Sequence, residues 1–195
     1  MKRAGSGTRV TIVMLVLPVA LLACDGRHDA AGRGSLDGFV ETAAALTDAG
    51  IMAILDEASR SDSVAAALAV EKATDAEVRA FAASAMEEHH ALRVDASRLA
   101  KALALTPRLP ASDPLGNAAE DEMIALRATP HGPAFDRVYV ERQIATHLEA
   151  KEFADEAKRT TPNDQIRDYI DRVTPVLERQ LARAQALHHR SAKTT

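Results

Sequence analysis

The residues of this chain best suited to chemistry are polar side chains that fall where helices should be apolar. His89 sits between Ala85 and Leu92 on one helical stripe, and Asp62 sits between Ala58 and Ala65 on another. Tyr139, Gln143 and His147 follow at four-residue intervals and form a polar ridge on a third helix, while Gln180 lies near the inner side of a fourth. Asp62 and His89 are each about 12–15 residues from the turn at Thr74. At ~1.5 Å of rise per residue, antiparallel neighbours would bring them to the same height. Buried polar groups need hydrogen-bond partners, so the leading reading is a polar cluster that fixes helix register. The alternative is a divalent-metal site formed by Asp62, His89 and His147, because imidazole and carboxylate together suit such ions.

Other chemistry finds less support. A di-iron bundle needs a Glu from each of two helices and Glu-x-x-His from the other two. The chain has one Glu-x-x-His, Glu87 to His90, and both of its residues point away from the stripe through Ala85, Leu92 and Leu99. His28, His131, His188 and His189 belong to a tether, a turn and a terminus, where they face solvent. No glycine-rich phosphate loop occurs, and no serine nucleophile with a placed base can be identified. No catalytic residue is assigned, and the reading is of a protein that is not an enzyme but has a structural or partner-binding role, with a periplasmic divalent-metal-binding bundle as the alternative.

The elements that must hold these residues are helices. Apolar residues make up 47% of the 195-residue chain and aromatics only 3%, so one core must be built largely from Ala, Leu, Val and Ile. A first long helix is expected from an N-cap at Thr47 or Asp48 to about Ala73. Thr74-Asp75-Ala76-Glu77 then reads as a capping box that starts a second helix, with Thr74 and Glu77 reciprocally bonded. That helix carries Val78, Phe81, Ala85, Leu92, Ala96, Leu99 and Leu103 and stops before Pro107. Leu68, Phe81, Leu92 and Leu177 are expected in the core. Pro107, Pro110 and Pro114 mark a long crossover with a shorter helix from Pro114 to Arg127, capped by Ser112. A third long helix spans about Ala134 to Arg159. A fourth begins with Thr161 as cap and Pro162 at its first position, and carries Ile166, Ile170, Val173, Leu177, Leu181 and Ala184. Pro175 should kink it. Two antiparallel hairpins joined by a long crossover make an all-α four-helix bundle with ferritin-like connectivity.

The N-terminus reads as an export signal. Lys2, Arg3 and Arg9 precede an uncharged run from Val10 to Ala23, too short for the ~20 residues of a membrane-spanning helix. Leu21-Leu22-Ala23-Cys24 ends the run at the only cysteine. These four residues resemble the bacterial lipobox, which implies a signal peptide over 1–23 and lipidation of Cys24. Residues 24–46 would then be a tether, 47–190 the bundle domain and 191–195 a tail. Two or more acyl chains anchor stably, so the membrane becomes a partner through Cys24 and the domain faces the periplasm. Asp25 leaves the choice of inner or outer membrane open. Removing 1–23 leaves 21 basic residues against 28 acidic ones, a net charge of −7 in place of −4. That balance argues against nucleic acid.

A family resemblance joins these observations. Asp48-Ala49-Gly50-Ile51, the run from Glu71 to Ala82, and Glu88-His89 resemble the first half of the exported bacterial domain-of-unknown-function family 4142. Phe135 to Val140 with His147 resembles its third helix, and Pro175 through Leu187 its last. The resemblance covers about residues 46–189. It implies a ferritin-like fold in the cell envelope with no established reaction. Three positions depart from the pattern: Gln180 stands where a His is usual, Gln143 where an acid is frequent, and Asp62 where Glu is common.

Overall fold

The structure, a computed structural model, describes residues 46–194. The expected signal peptide, Cys24 and nearly all of the tether lie outside the described residues. Five helices and no strand occur among those described: α1 (Asp48–Lys72), α2 (Ala76–Ala102), α3 (Gly116–Ala128), α4 (Pro133–Thr160) and α5 (Asp164–Thr194). The described residues therefore form an all-α bundle of four long helices with a short one in the crossover. α1 pairs with α2 and α4 with α5. α2 also meets α5 and α1 meets α4, while α3 lies against α1 and α4. No described helix is long and apolar enough to cross a membrane.

Local chemistry sets each boundary, and three caps differ from expectation. α1 starts as anticipated, with Thr47 Oγ1 accepting the Gly50 N–H at 3.0 Å. At α2 the cap is Asp75, which accepts from the N–H groups of Glu77 and Val78, so the expected Thr74–Glu77 box does not form. Thr74 is engaged elsewhere. Its N–H and hydroxyl donate to Asp136 at 2.8 and 2.7 Å, and the Asp75 N–H donates to the same carboxylate at 2.9 Å. α3 begins at Gly116, two residues later than expected and without Ser112. Asp113 instead folds the approach by accepting from the Leu115 N–H. α5 is capped by Asn163, whose side chain accepts from Gln165 and Ile166 N–H groups. Thr161 lies one step outside the cap: its hydroxyl donates to Asp48 at 2.6 Å and accepts the Asn163 N–H at 3.2 Å. α5 runs without a break across Pro175 and on to Thr194, through residues expected to be a tail.

Asp136 thus ties the start of α4 to the turn between α1 and α2 with three hydrogen bonds to one carboxylate. Hydrogen bonds to charged groups contribute about 1.5–3 kcal/mol each when well shielded, and part of this set is exposed. We expect Asp136→Ala to lower the unfolding free energy by about 2–3 kcal/mol, measured by urea denaturation. A variant as stable as the wild type would show that the turn holds itself.

The apolar interior falls into two clusters. One gathers Ile51, Ile54, Leu55, Leu92, Phe153, Ile166, Tyr169, Ile170 and Leu177. The other gathers Ala65, Ala69, Phe81, Ala82, Leu126, Phe135, Tyr139 and Ala184. Phe81, Leu92 and Leu177 are buried as expected, but Leu68 is only half-buried and flanks the second cluster. Alanine carries that contact instead, since Ala65, Ala66 and Ala69 fill the tight seam and leave Leu68 at its edge. On every long helix a polar residue separates the two clusters: Asp62 on α1, His89 on α2, Gln143 and His147 on α4, and Gln180 on α5. The polar layer is thus held between two apolar blocks.

Candidate metal centre

Each helix delivers its polar residue to the same level. Asp62, His89, Gln143, His147 and Gln180 are all buried. Asp62, His89 and His147 offer ligand atoms that lie within 4.8 Å of one another. The His89 Nε2 is 2.9 Å from Gln180 Oε1 and 3.4 Å from Asp62 Oδ2. The His147 Nε2 is 2.5 Å from the same Gln180 Oε1. The three residues singled out by sequence therefore do meet, and Gln180 joins them although it lies 33 positions from His147. Glu87 and His90, the lone Glu-x-x-His pair, are exposed, as are His131 and His189. His188 is partly exposed and 3.7 Å from Glu141.

Hydrogen-bond polarity decides what this arrangement lacks. His147 Nδ1 is 2.8 Å from the Gln143 carbonyl, which can only accept, so Nδ1 carries a hydrogen. In the neutral ring Nε2 is then a lone pair aimed inward. The Gln180 amide nitrogen donates to Glu88 at 2.7 Å, which turns Oε1, an acceptor, inward as well. Two acceptors thus face each other at 2.5 Å, with the Asp62 carboxylate beside them. That carboxylate receives only long contacts at 3.4 Å, from Gln143 Nε2 and toward His89. A positive charge at the centre of His89 Nε2, His147 Nε2, Gln180 Oε1 and the Asp62 carboxylate reconciles all four. Either a proton on His147 or a metal ion supplies it.

The surroundings suit a metal. Burial lowers the pKa of His89, against the opposing pull of Asp62, and so favours the neutral ring that ligates metals. The bond from His147 Nδ1–H to a carbonyl is the usual way an outer partner orients a ligating imidazole. Metal–nitrogen and metal–oxygen bonds near ~2.1 Å place tetrahedral ligands about 3.4 Å apart, so modest inward rotation would close the set. His89 Nδ1, the Tyr139 hydroxyl and Gln143 Oε1 have no protein partner among the described residues.

One member of the cluster escaped the sequence reading. Glu122 on α3 is fully buried and accepts from Gln143 Nε2 at 2.9 Å. Burial and the nearby charge of Asp62 push its pKa up to about 8. It stands in the acidic run Glu120-Asp121-Glu122, which reads as a solvated face. Yet Leu115, Ala119, Glu122 and Leu126 are spaced 4, 3 and 4, and Glu122 lies on that stripe as His89 lies on its own. The buried Lys72 was also missed. Its ammonium bonds the Leu126 carbonyl at 2.8 Å and that of Thr129, and lies 4.9 Å from the Phe135 ring. It thereby satisfies carbonyls left open at the end of α3.

The family model for a domain of unknown function, DUF4142, matches residues 39–187. The chain belongs to the DUF4142 family. No curated protein and no solved structure matches it. The three positions at which this DUF4142 chain departs from the pattern noted above, Asp62, Gln143 and Gln180, all stand in the buried cluster.

Proposed function

We propose that the protein is a divalent transition-metal-binding helical bundle, held at the cell envelope by lipidated Cys24. The observation that carries the metal reading is the convergence of His147 Nε2, Gln180 Oε1 and the Asp62 carboxylate, acceptors with no donor among them, beside His89 Nε2. Two imidazoles with oxygen donors suit zinc, cobalt, nickel or ferrous iron better than calcium or magnesium, which take oxygen alone. The donors come from all four long helices, so a bound ion would couple metal affinity to folding. The competing reading, a purely structural cluster with an imidazolium at His147, needs a proton where the first needs an ion. Metal analysis separates them. In a Cys24→Ser background, so that no thiolate competes, equilibrium dialysis against Zn²⁺ or Co²⁺ should find one tightly held ion per chain, absent in His89→Gln. Absence of that ion from the unsubstituted site would leave the structural reading.

The envelope assignment rests on the run that ends at Cys24. Cys24→Ser should abolish acylation and move the protein from the membrane to the soluble fraction. The assignment is wrong if the Ser variant still sediments with membranes and the wild-type Cys24 is unmodified.

A further inference from the structure

We propose that the ion reaches this site along the seam between α1 and α3, through an aperture set by the small side chains Ala58, Ser61 and Ala119. This rests on the metal reading above. A cavity of about 20 Å³ is lined by Ala58, Ser61, Asp62, Ala118, Ala119 and Glu122, among others. That is room for about one water-sized sphere. It ends on Asp62, a proposed ligand, and on Glu122. A second, wider cavity of about 270 Å³ shares Ala58, Ser61, Leu115 and Ala119 with it and is lined further out by Glu57, Arg60, Asp113 and Glu120. The two form a vestibule and a neck.

Chemistry grades this path. Three carboxylates and one guanidinium stand at the vestibule, and Arg60 is already paired with Glu57. A mouth with excess negative charge raises the local concentration of cations. The neck then admits an ion only after most of its water shell is shed, and the carboxylate at its end replaces that water. Bulk is missing where the neck lies because α1 presents Ala58 and Ser61 while α3 presents Ala118 and Ala119.

The test is kinetic and uses Co²⁺ alone as probe, in the Cys24→Ser background, with absorbance followed after rapid mixing. Ala119→Leu should slow association and dissociation together by about tenfold, with Kd unchanged, because an obstructed passage raises the barrier without touching the ligands. Ala182→Leu, an exposed site on α5, should leave both rates alone. Glu120→Gln, an exposed change that does not threaten folding, should slow association by about twofold and flatten its dependence on ionic strength. The route is refuted if the wild type binds one Co²⁺ while both Ala119→Leu and Glu120→Gln retain its rates. If Ala119→Leu does not fold, the Glu120→Gln result alone decides. If the wild type binds no Co²⁺ at all, the metal reading fails and the route with it.

Discussion

Zn²⁺ should raise the thermal midpoint of the wild-type protein by about 5–10 °C at free concentrations a hundredfold above Kd, and a chelator should reverse the gain. The size follows from linkage: saturation to that degree adds roughly 2.7 kcal/mol, and a domain of this length moves by about 2–4 °C per kcal/mol. His89→Gln should show neither the gain nor the reversal, since loss of an inner ligand costs more than the ten- to hundredfold typical of an outer partner. Gln143→Leu tests that outer role. The backbone carbonyl that orients His147 survives the substitution, but the amide contact to Asp62 at 3.4 Å does not. Affinity should therefore fall by about ten- to hundredfold without vanishing. A structural cluster behaves differently. Asp62→Asn or His89→Gln would then destabilise the protein by about 1 kcal/mol or more, and a chelator would change nothing in either form. Differential scanning fluorimetry with and without chelator reads both outcomes, and a wild type indifferent to both Zn²⁺ and chelator rules out the metal.

The helices and the polar layer were legible in sequence because both obey one rule, the 3.6-residue period. A single out-of-place residue such as His89 or Asp62 on a clean apolar stripe is visible without knowing its partner, and the common distance from Thr74 supplied the shared height. Cap identity was less legible because it depends on competition from afar. The local pattern pairs Thr74 with Glu77, but Asp136, 62 positions away, binds both the N–H and the hydroxyl of Thr74, and Asp75 caps α2. Thr161 likewise bonds Asp48 across 113 positions, and Asn163 caps α5. Glu122 was hidden for another reason. α3 is short and lies in the crossover, so its stripe had no expected neighbour until α1 and α4 were found against it. The polarity argument at Gln180 was beyond any sequence reading, because the direction of its amide is set by Glu88, 92 positions distant.

Glu122 carries the other large effect, which concerns the metal-free protein and its dependence on pH. The groups around it are Asp62 from α1 and Tyr139, Arg142 and Gln143 from α4. Burial raises its pKa most, the Asp62 charge adds to that, and the Gln143 hydrogen bond and Arg142 oppose it, for a folded value of about 8 against an ordinary 4.5. Below the ordinary value the carboxyl is neutral in both folded and unfolded chains and costs nothing. Between 4.5 and about 8 the unfolded chain has released the proton and the folded chain still holds it. The unfolded state therefore binds fewer protons, and stability falls as pH rises through this window, levelling off above it. At about 1.4 kcal/mol per unit, the whole decline is on the order of 3–5 kcal/mol. Glu122→Gln keeps the shape and an oxygen to accept from Gln143 but has no proton to lose. With chelator present it should match the wild type near pH 4.5 and exceed it by several kcal/mol, on the order of 3–5, near pH 8, as measured by urea denaturation across that range. Parallel curves for the two proteins would mean that Glu122 ionises in the fold as readily as in the unfolded chain. An ion at Asp62 changes the balance, because it cancels the negative charge that raises Glu122. Adding Zn²⁺ should therefore flatten the wild-type decline more than it changes the curve of Glu122→Gln.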